Sequence, residues 1–504
     1  MIALVFYECC QVKGVRKKMK RKIKLACLFL SVLMLLSACS MGEKTALNPK
    51  NPVSITLWHY YVGDNKIALE TAVDAFNKSV GSEKGVVVNA VAKGSVSELE
   101  KAVTDSAKGV INAEAMPDLF SCYPDKALEI DELGKLCDLN DYFSETEQAL
   151  YVEEFLNDGQ FDGERLLILP IVKSTELLYV NETAWNEFAA ANSLDATKLS
   201  TWEGVYAAAQ AYYKWTDAQT PETDGDGKSL MGVDSVANYV IIGNKQLGVE
   251  VIDGENQQVV LNRAVMKKIF DTYYGGMSLG YFNAVGKFRS DDIKAGDLAA
   301  YVGSSSGAAY FPTWIEKDNT QLPIDFLAMS YPVFEGGSPD AIQQGAGMSV
   351  ANSTPEKQEG ATVFLKWFTS EAQNIEFAMT TGYLPVQSGA YENAEFKASL
   401  EDLRAGEAAE KNIAAVYDIA LNQIMERDTY ASLPFKGSYQ VRSTLAESLT
   451  AMGESGRLNA ASLKEQGLSE AEILAALDLN ARFEEWLTVI RSQLDESGIP
   501  YIES

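Results

Sequence analysis

The chain has 504 residues, 47% of them hydrophobic, and a formal net charge of −27. That length exceeds what one hydrophobic core usually serves, so two or more domains are expected. The acidity repels nucleic acid and anionic membrane surfaces and excludes both as general partners, but salt confines that repulsion to roughly 8–10 Å, which leaves room for a small anion as ligand.

Residues 19–39 read as an export signal. Lys20, Arg21, Lys22 and Lys24 form a basic head, 25–36 an apolar run, and Ser37 and Ala38 a small pair before Cys39. The run is shorter than the roughly 20 apolar residues that span a bilayer. Its end, Leu36-Ser37-Ala38-Cys39, resembles the lipobox of bacterial lipoproteins. The resemblance implies cleavage before Cys39 and a diacylglycerol on its sulfur; an uncleaved N-terminal anchor is the alternative. On this reading 1–38 are a signal peptide with Met19 as a better start, and 39–52 are the lipidated cysteine and a tether. The protein then works on the outer face of the bacterial cytoplasmic membrane, held there by lipid alone. Of six cysteines, Cys9, Cys10 and Cys27 leave with the signal, and Cys122 and Cys137 remain beside Cys39. No disulfide framework or zinc pattern survives, and pairing of the two is left open.

Folding is expected to begin at Val53. Residues 53–58 (VSITLW) read as a buried strand, followed by a helix that Asp64 caps, with Leu69, Ala72, Val73 and Phe76 on its apolar face. Strands at 85–91 and 116–121 flank a helix at 97–107. Alternation of strand and helix implies an α/β fold with a parallel sheet, whose sites lie beyond the strands' C-terminal ends. Trp58, His59, Tyr60 and Tyr61 fall at such an edge. Residues 171–175 read as the crossing into a second lobe, giving 53–173 plus 328–380 as one lobe and 174–327 plus 381–504 as the other. Helical patterns follow around Trp185, at 202–213 and at 264–274, with strands at 257–261, 298–302, 324–328 and 345–350. Thr354, Pro355 and Glu356 open a helix with Ala361, Phe364, Leu365 and Phe368 buried. Ser469 and Glu472 form a capping box, and Phe483, Trp486, Leu487 and Ile490 line the last helix.

A single histidine, His59, removes most Ser-His-Asp and Cys-His schemes and every His-rich metal site. Neither catalysis nor a cofactor is expected. Trp58, Tyr60, Tyr61, Tyr239, Tyr301, Tyr310, Trp314 and Tyr383 are candidates to stack on sugar faces, each with core packing as the alternative. Residues 223–228 (TDGDGK) resemble the start of a calcium loop, but the bidentate acid expected eleven residues after Asp224 is Ser235, so a surface turn is the reading and no metal is assigned. The small-residue loops at 303–307 (GSSSG) and 345–347 (GAG) allow close approach of a ligand to the backbone; ordinary turns are the alternative.

Five segments, 55–59 (ITLWH), 174–181 (STELLYVN), 345–350 (GAGMSV), 355–368 (PEKQEGATVFLKWF) and 381–386 (TGYLPV), together with GSSSG, resemble family 1 extracellular solute-binding proteins of bacterial ABC importers, nearest the glycerol-3-phosphate and sugar-binding branch. The resemblance covers about 53–449. It implies a periplasmic-binding-protein-like fold: two α/β lobes, a hinge and an interlobe ligand cleft. Family ligand positions map onto Trp58, His59, Glu98, Ser174, Ser304, Ser305, Ser306, Gly345, Tyr383 and Arg442. In the glycerol-phosphate branch, the tyrosine of TGYLP and an arginine after Lys436-Gly437, here Tyr383 and Arg442, contact the anion. The chain departs from that branch at Ser97, where a tyrosine is usual, and at 234–239 (DSVANY), where a tryptophan pair is usual. The ligand class implied is therefore a sugar, an oligosaccharide or a polyol phosphate such as glycerol-3-phosphate. The protein would be a monomer that delivers it to ABC permease transmembrane subunits. A glycan-processing surface lipoprotein and a structural or adhesive one are the alternatives.

Overall fold

The computed structural model describes residues 45–504 except 162, 224, 318 and 428. The expected signal, the lipidated Cys39 and Asp224 of the TDGDGK turn lie outside the described residues. Asn48–Ser504 form one compact unit.

Two sheets organise that unit. In the first, Val86–Ala92, Val53–His59 and Leu119–Cys122 run parallel, and Gly347–Val350 and Leu169–Pro170 extend the sheet antiparallel. The parallel half comes from the strand-helix alternation of 53–122. The antiparallel half is added by chain that returns from elsewhere. Helix Gly63–Lys78 buries Leu69, Val73 and Phe76, as its i, i+4, i+7 spacing requires. Its N-cap is Val62, with Asp64 inside the first turn instead of capping. Phe76 meets the Phe364 ring edge-on at 5.1 Å, which ties this helix to Pro355–Phe368.

The second sheet runs Thr429–Tyr430, Ala341–Gln344, Ser174–Asn181, Ala300–Ser304, Met231–Val233, with Phe326–Ser330 also paired to Ser174–Asn181. All eight residues of Ser174–Asn181 are buried, which fits a central strand covered on both faces. The sheet is mixed: Ala300–Ser304, Phe326–Ser330 and Ala341–Gln344 all pair antiparallel with Ser174–Asn181. Its large core gathers Trp202, Tyr239, Phe270, Tyr274 and Trp486. Trp486 is fully buried and donates its indole N–H to Ser448 Oγ at 2.8 Å, so the polar atom is satisfied where the ring packs.

The chain passes between the sheets at 171–173 and again at 345–346, since Gln344 closes a strand of the second sheet and Gly347 opens one of the first. Phe326–Ser330 and Ala341–Gln344 thus belong with the second sheet, and the return crossing falls at Gly345 instead of at 328. Alongside, Lys173 and Leu384 exchange backbone hydrogen bonds of 3.0 and 2.7 Å. Three strands of chain therefore connect the two halves near one another.

Candidate functional site

Strand pairing gathers polar residues at one end of the second sheet. Ser304 stands opposite Glu176 and Gln344 opposite Ser174. This end faces the first sheet across a cleft of about 460 Å³. Its walls include Val96, Glu100, Tyr123, Pro124, Asp125 and Asp158 on one side and Ser174, Ser235, Asn238, Ser304, Ser306, Gln344, Tyr383, Tyr439 and Arg442 on the other. Such a volume fits a small molecule, and its lining is hydroxyls, amides, aromatic rings and a few charges.

Six residues expected from sequence come together here: Ser174, Ser304, Ser306, Gly345, Tyr383 and Arg442. Ser304 caps a short turn by accepting the Ser306 N–H at 3.3 Å, and the two hydroxyls lie 2.9 Å apart. Burial raises the Tyr383 pKa, and the hydroxyls of Ser306 and Tyr60 beside it offset that rise in part. Gly345 holds φ +107°, and a Cβ there would meet Val172 O at 2.9 Å, so only glycine fits this crossing without strain.

Four others lie elsewhere. Trp58 is 2% exposed and packs in the first-lobe core under Lys93 Nζ, 3.7 Å from its ring centroid. His59 is fully buried with neither ring nitrogen hydrogen-bonded, and burial lowers its pKa to about 4. Glu98 caps its own helix: Oε2 accepts the Ser95 N–H at 2.7 Å and the Ser95 hydroxyl at 2.8 Å, completing a capping box. Ser305 points inward, where its Oγ accepts the Thr175 N–H at 3.2 Å. None of the four lines the cleft. Of the other aromatic candidates, Tyr239 and Tyr301 are core residues, Tyr310 is exposed, and Trp314 lies on a hairpin with Lys294 Nζ 4.5 Å from its ring centroid.

The rings of Tyr60 and Tyr61 support the cleft from behind. Tyr60 stacks on Tyr123 at 6.3 Å, and Tyr61 meets Tyr383 edge-on at 6.5 Å. Two of the rings that reach the cleft, Tyr123 and Tyr383, are thereby held by residues just past the first strand.

Sequence reading missed Glu100, Tyr123, Asp125, Asp158, Ser235 and Asn238. Val96 and Glu100 sit one turn apart on one face of Val96–Ala107. A glutamate one turn from Val96 and three residues before Val103 was a signal for a buried carboxylate. Tyr123 and Asp125 follow strand Leu119–Cys122 directly, so the rule that drew attention to Trp58 and His59 applies to them as well. Ser235 and Asn238 occupy the stretch where the glycerol-phosphate branch has tryptophans.

Behind the cleft a hydrogen-bonded chain fixes Arg442. Its Nη2 donates to Asn238 Oδ1 at 2.8 Å, and Asn238 Nδ2 donates to Glu176 Oε1 at 2.8 Å, which also accepts from Gln344 Nε2 at 3.0 Å. Burial pushes the Glu176 carboxyl up to about 7 against those two amides. Lys173 forms a buried ion pair with Asp158 and donates to Gly345 O at 3.2 Å. Glu100 is 6% exposed, and burial followed by the nearby Asp125 raises its pKa to about 7. Cys122 and Cys137 are both free and buried. Asp226 accepts a hydrogen bond from Thr220, an ordinary turn contact.

A family model described as bacterial extracellular solute-binding protein matches residues 71–404. No curated protein matches the chain. Among solved structures, the cyclic alpha-maltosyl-1,6-maltose binding protein of Arthrobacter globiformis is 19% identical with a TM-score of 0.62, covering 86% of this chain and 100% of that one. UgpB of Mycobacterium tuberculosis in complex with glycerophosphocholine is 19% identical at TM-score 0.64, covering 89% and 100%. The maltose/maltodextrin-binding domain MalE of Bdellovibrio bacteriovorus bound to maltotriose is 15% identical at TM-score 0.59, covering 82% and 100%. At these identities the likeness establishes the fold, a periplasmic-binding-protein-like α/β architecture.

Proposed function

The chain belongs to the bacterial extracellular solute-binding proteins, and we propose that it captures a carbohydrate or related polyol in its cleft and delivers it to the transmembrane subunits of an ABC importer. The observation that carries this reading is the cleft itself, about 460 Å³ lined by serines, amides and the rings of Tyr123, Tyr383 and Tyr439. Hydroxyls and amides match a polyhydroxylated ligand, and aromatic faces pack against the C–H faces of sugar rings. Three similar structures carry the names of a cyclic maltosyl-maltose, maltotriose and glycerophosphocholine as ligands, in keeping with this class.

Capture works by closure. The half built on the first sheet, with helices Pro355–Phe368 and Glu371–Thr381, swings against the half built on the second, the crossings at 171–173, 345–346 and 382–384 absorbing the motion. A ligand touching both walls favours the closed state by its differential contacts. An N-terminal lipid on Cys39 keeps the carrier beside its transporter, and the protein acts as a monomer.

The charges around the cleft weigh against a simple phosphate. Arg442 is engaged by Asn238, and an anion beside it would face Glu100 and Asp125. A sugar or oligosaccharide is favoured over glycerol-3-phosphate on that ground. The test is ligand-dependent thermal stabilisation of the chain from residue 45 onward across a panel of sugars, oligosaccharides and polyol phosphates. Stabilisation by one class supports the reading; a flat response across the panel contradicts it.

A further inference from the structure

The charged groups of the cleft do not balance. Asp158 is neutralised by Lys173. Glu176, behind the wall, is hydrogen-bonded by Asn238 and Gln344. Burial raises the Asp125 pKa, and Arg442 within electrostatic reach offsets that rise in part. The Glu100 Oε1 is buried without a hydrogen bond, and Lys126, whose field reaches this carboxylate, donates its hydrogen bonds to Glu129 and Thr104. A carboxylate 6% exposed on a cleft wall, with a second carboxylate beside it, is an arrangement that costs stability when ionised unless a cation completes it. Two phenol rings line the cleft near Glu100, Tyr123 on the same wall and Tyr439 on the opposite one, and the field of Glu100 reaches both. Rings beside carboxylates are the environment that holds ammonium groups, through charge and through the negative face of the ring.

Resting on the reading of the cleft as a polyol site, we propose that its ligand carries a cationic nitrogen on a hydroxylated skeleton, seated against Glu100 and Asp125 beside the Tyr123 and Tyr439 rings. The hydroxyls of the skeleton face Ser174, Ser304, Ser306 and Asn238 across the cleft. The shared chemistry has two sources, a primary ammonium as in an amino sugar and a quaternary ammonium as in a choline-bearing glycerol phosphodiester.

Matched pairs separate these. Isothermal titration of the chain from residue 45 onward would compare chitotriose with its deacetylated form, and glycerophosphoglycerol with glycerophosphocholine. In one pair the cationic member is expected to bind at least about tenfold tighter, and Glu100→Gln, which keeps shape and removes charge, should abolish that preference. The responding pair identifies the source. Equal or tighter binding of the neutral member, or a preference that survives Glu100→Gln, overturns the proposal while leaving carbohydrate capture standing. Binding of none of the four overturns the proposal, whereas the reading it rests on falls only with a flat thermal response across the full sugar and polyol panel. Should Glu100→Gln fail to fold, Asp125→Asn is read by the same criteria.

Discussion

The single histidine and the buried glutamates pull stability in opposite directions with pH. His59 has a folded-state pKa of about 4 against an ordinary 6.5, because burial disfavours the imidazolium. As pH falls, the unfolded chain takes up the proton first, so His59 costs stability progressively between those values, in total about 3 kcal/mol. Glu100 and Glu176 are raised to about 7 from 4.5, so their neutral forms favour the folded protein at low pH and that advantage is lost as pH rises through 7. Because the windows overlap, the wild-type profile alone is a compromise. Variants resolve it: in urea unfolding, the stability of wild type relative to His59→Phe should fall from pH 7 to pH 4. The stability of Glu100→Gln relative to wild type should rise from pH 4.5 to pH 8. A flat difference in either series removes the corresponding burial argument. Arg442 supplies a third test. Engaged by Asn238, it should cost less than about tenfold in sugar affinity when changed to alanine, whereas a loss of roughly 2–5 kcal/mol, read by titration, would place an anionic group beside it.

At the scale of elements, the crossings between the sheets carry the most specific demands. Gly345 is held at φ +107° with no space for a Cβ, so Gly345→Ala should lower stability by about 1–3 kcal/mol, measured by thermal or urea unfolding. Lys173 is 2% exposed and paired with Asp158, so Lys173→Met strands a carboxylate and should cost about 3–5 kcal/mol in the same assay. Strands and helices with strong periodicity were legible in the sequence: VSITLW, the Pro355 helix and the Ser469 capping box all appear where patterning placed them. The return crossing was not, because Phe326–Ser330 (FLAMS) is a short apolar run that fits either sheet and Ala341–Gln344 (AIQQ) has too little patterning to read as a strand, and only pairing with Ser174–Asn181 places them. The cleft was half legible. Serine loops and the TGYLP tyrosine stand out as motifs, whereas Glu100, Asp125 and Asn238 are ordinary polar residues in helices whose meaning comes from the wall they face.

For the whole molecule, the two-sheet architecture, the cleft between them and family membership support the proposal of a carrier that holds a hydroxylated ligand at the seam between its two halves. The claim is most directly tested by isothermal titration of the ligand that gives the largest thermal stabilisation, against wild type and against a chain whose cleft is filled by Ser304→Trp. Placement of the serine at the seam predicts one ligand per chain for wild type and loss of binding in the filled variant, with its fold intact by circular dichroism. Unchanged affinity in the filled variant would put the ligand elsewhere and contradict the account.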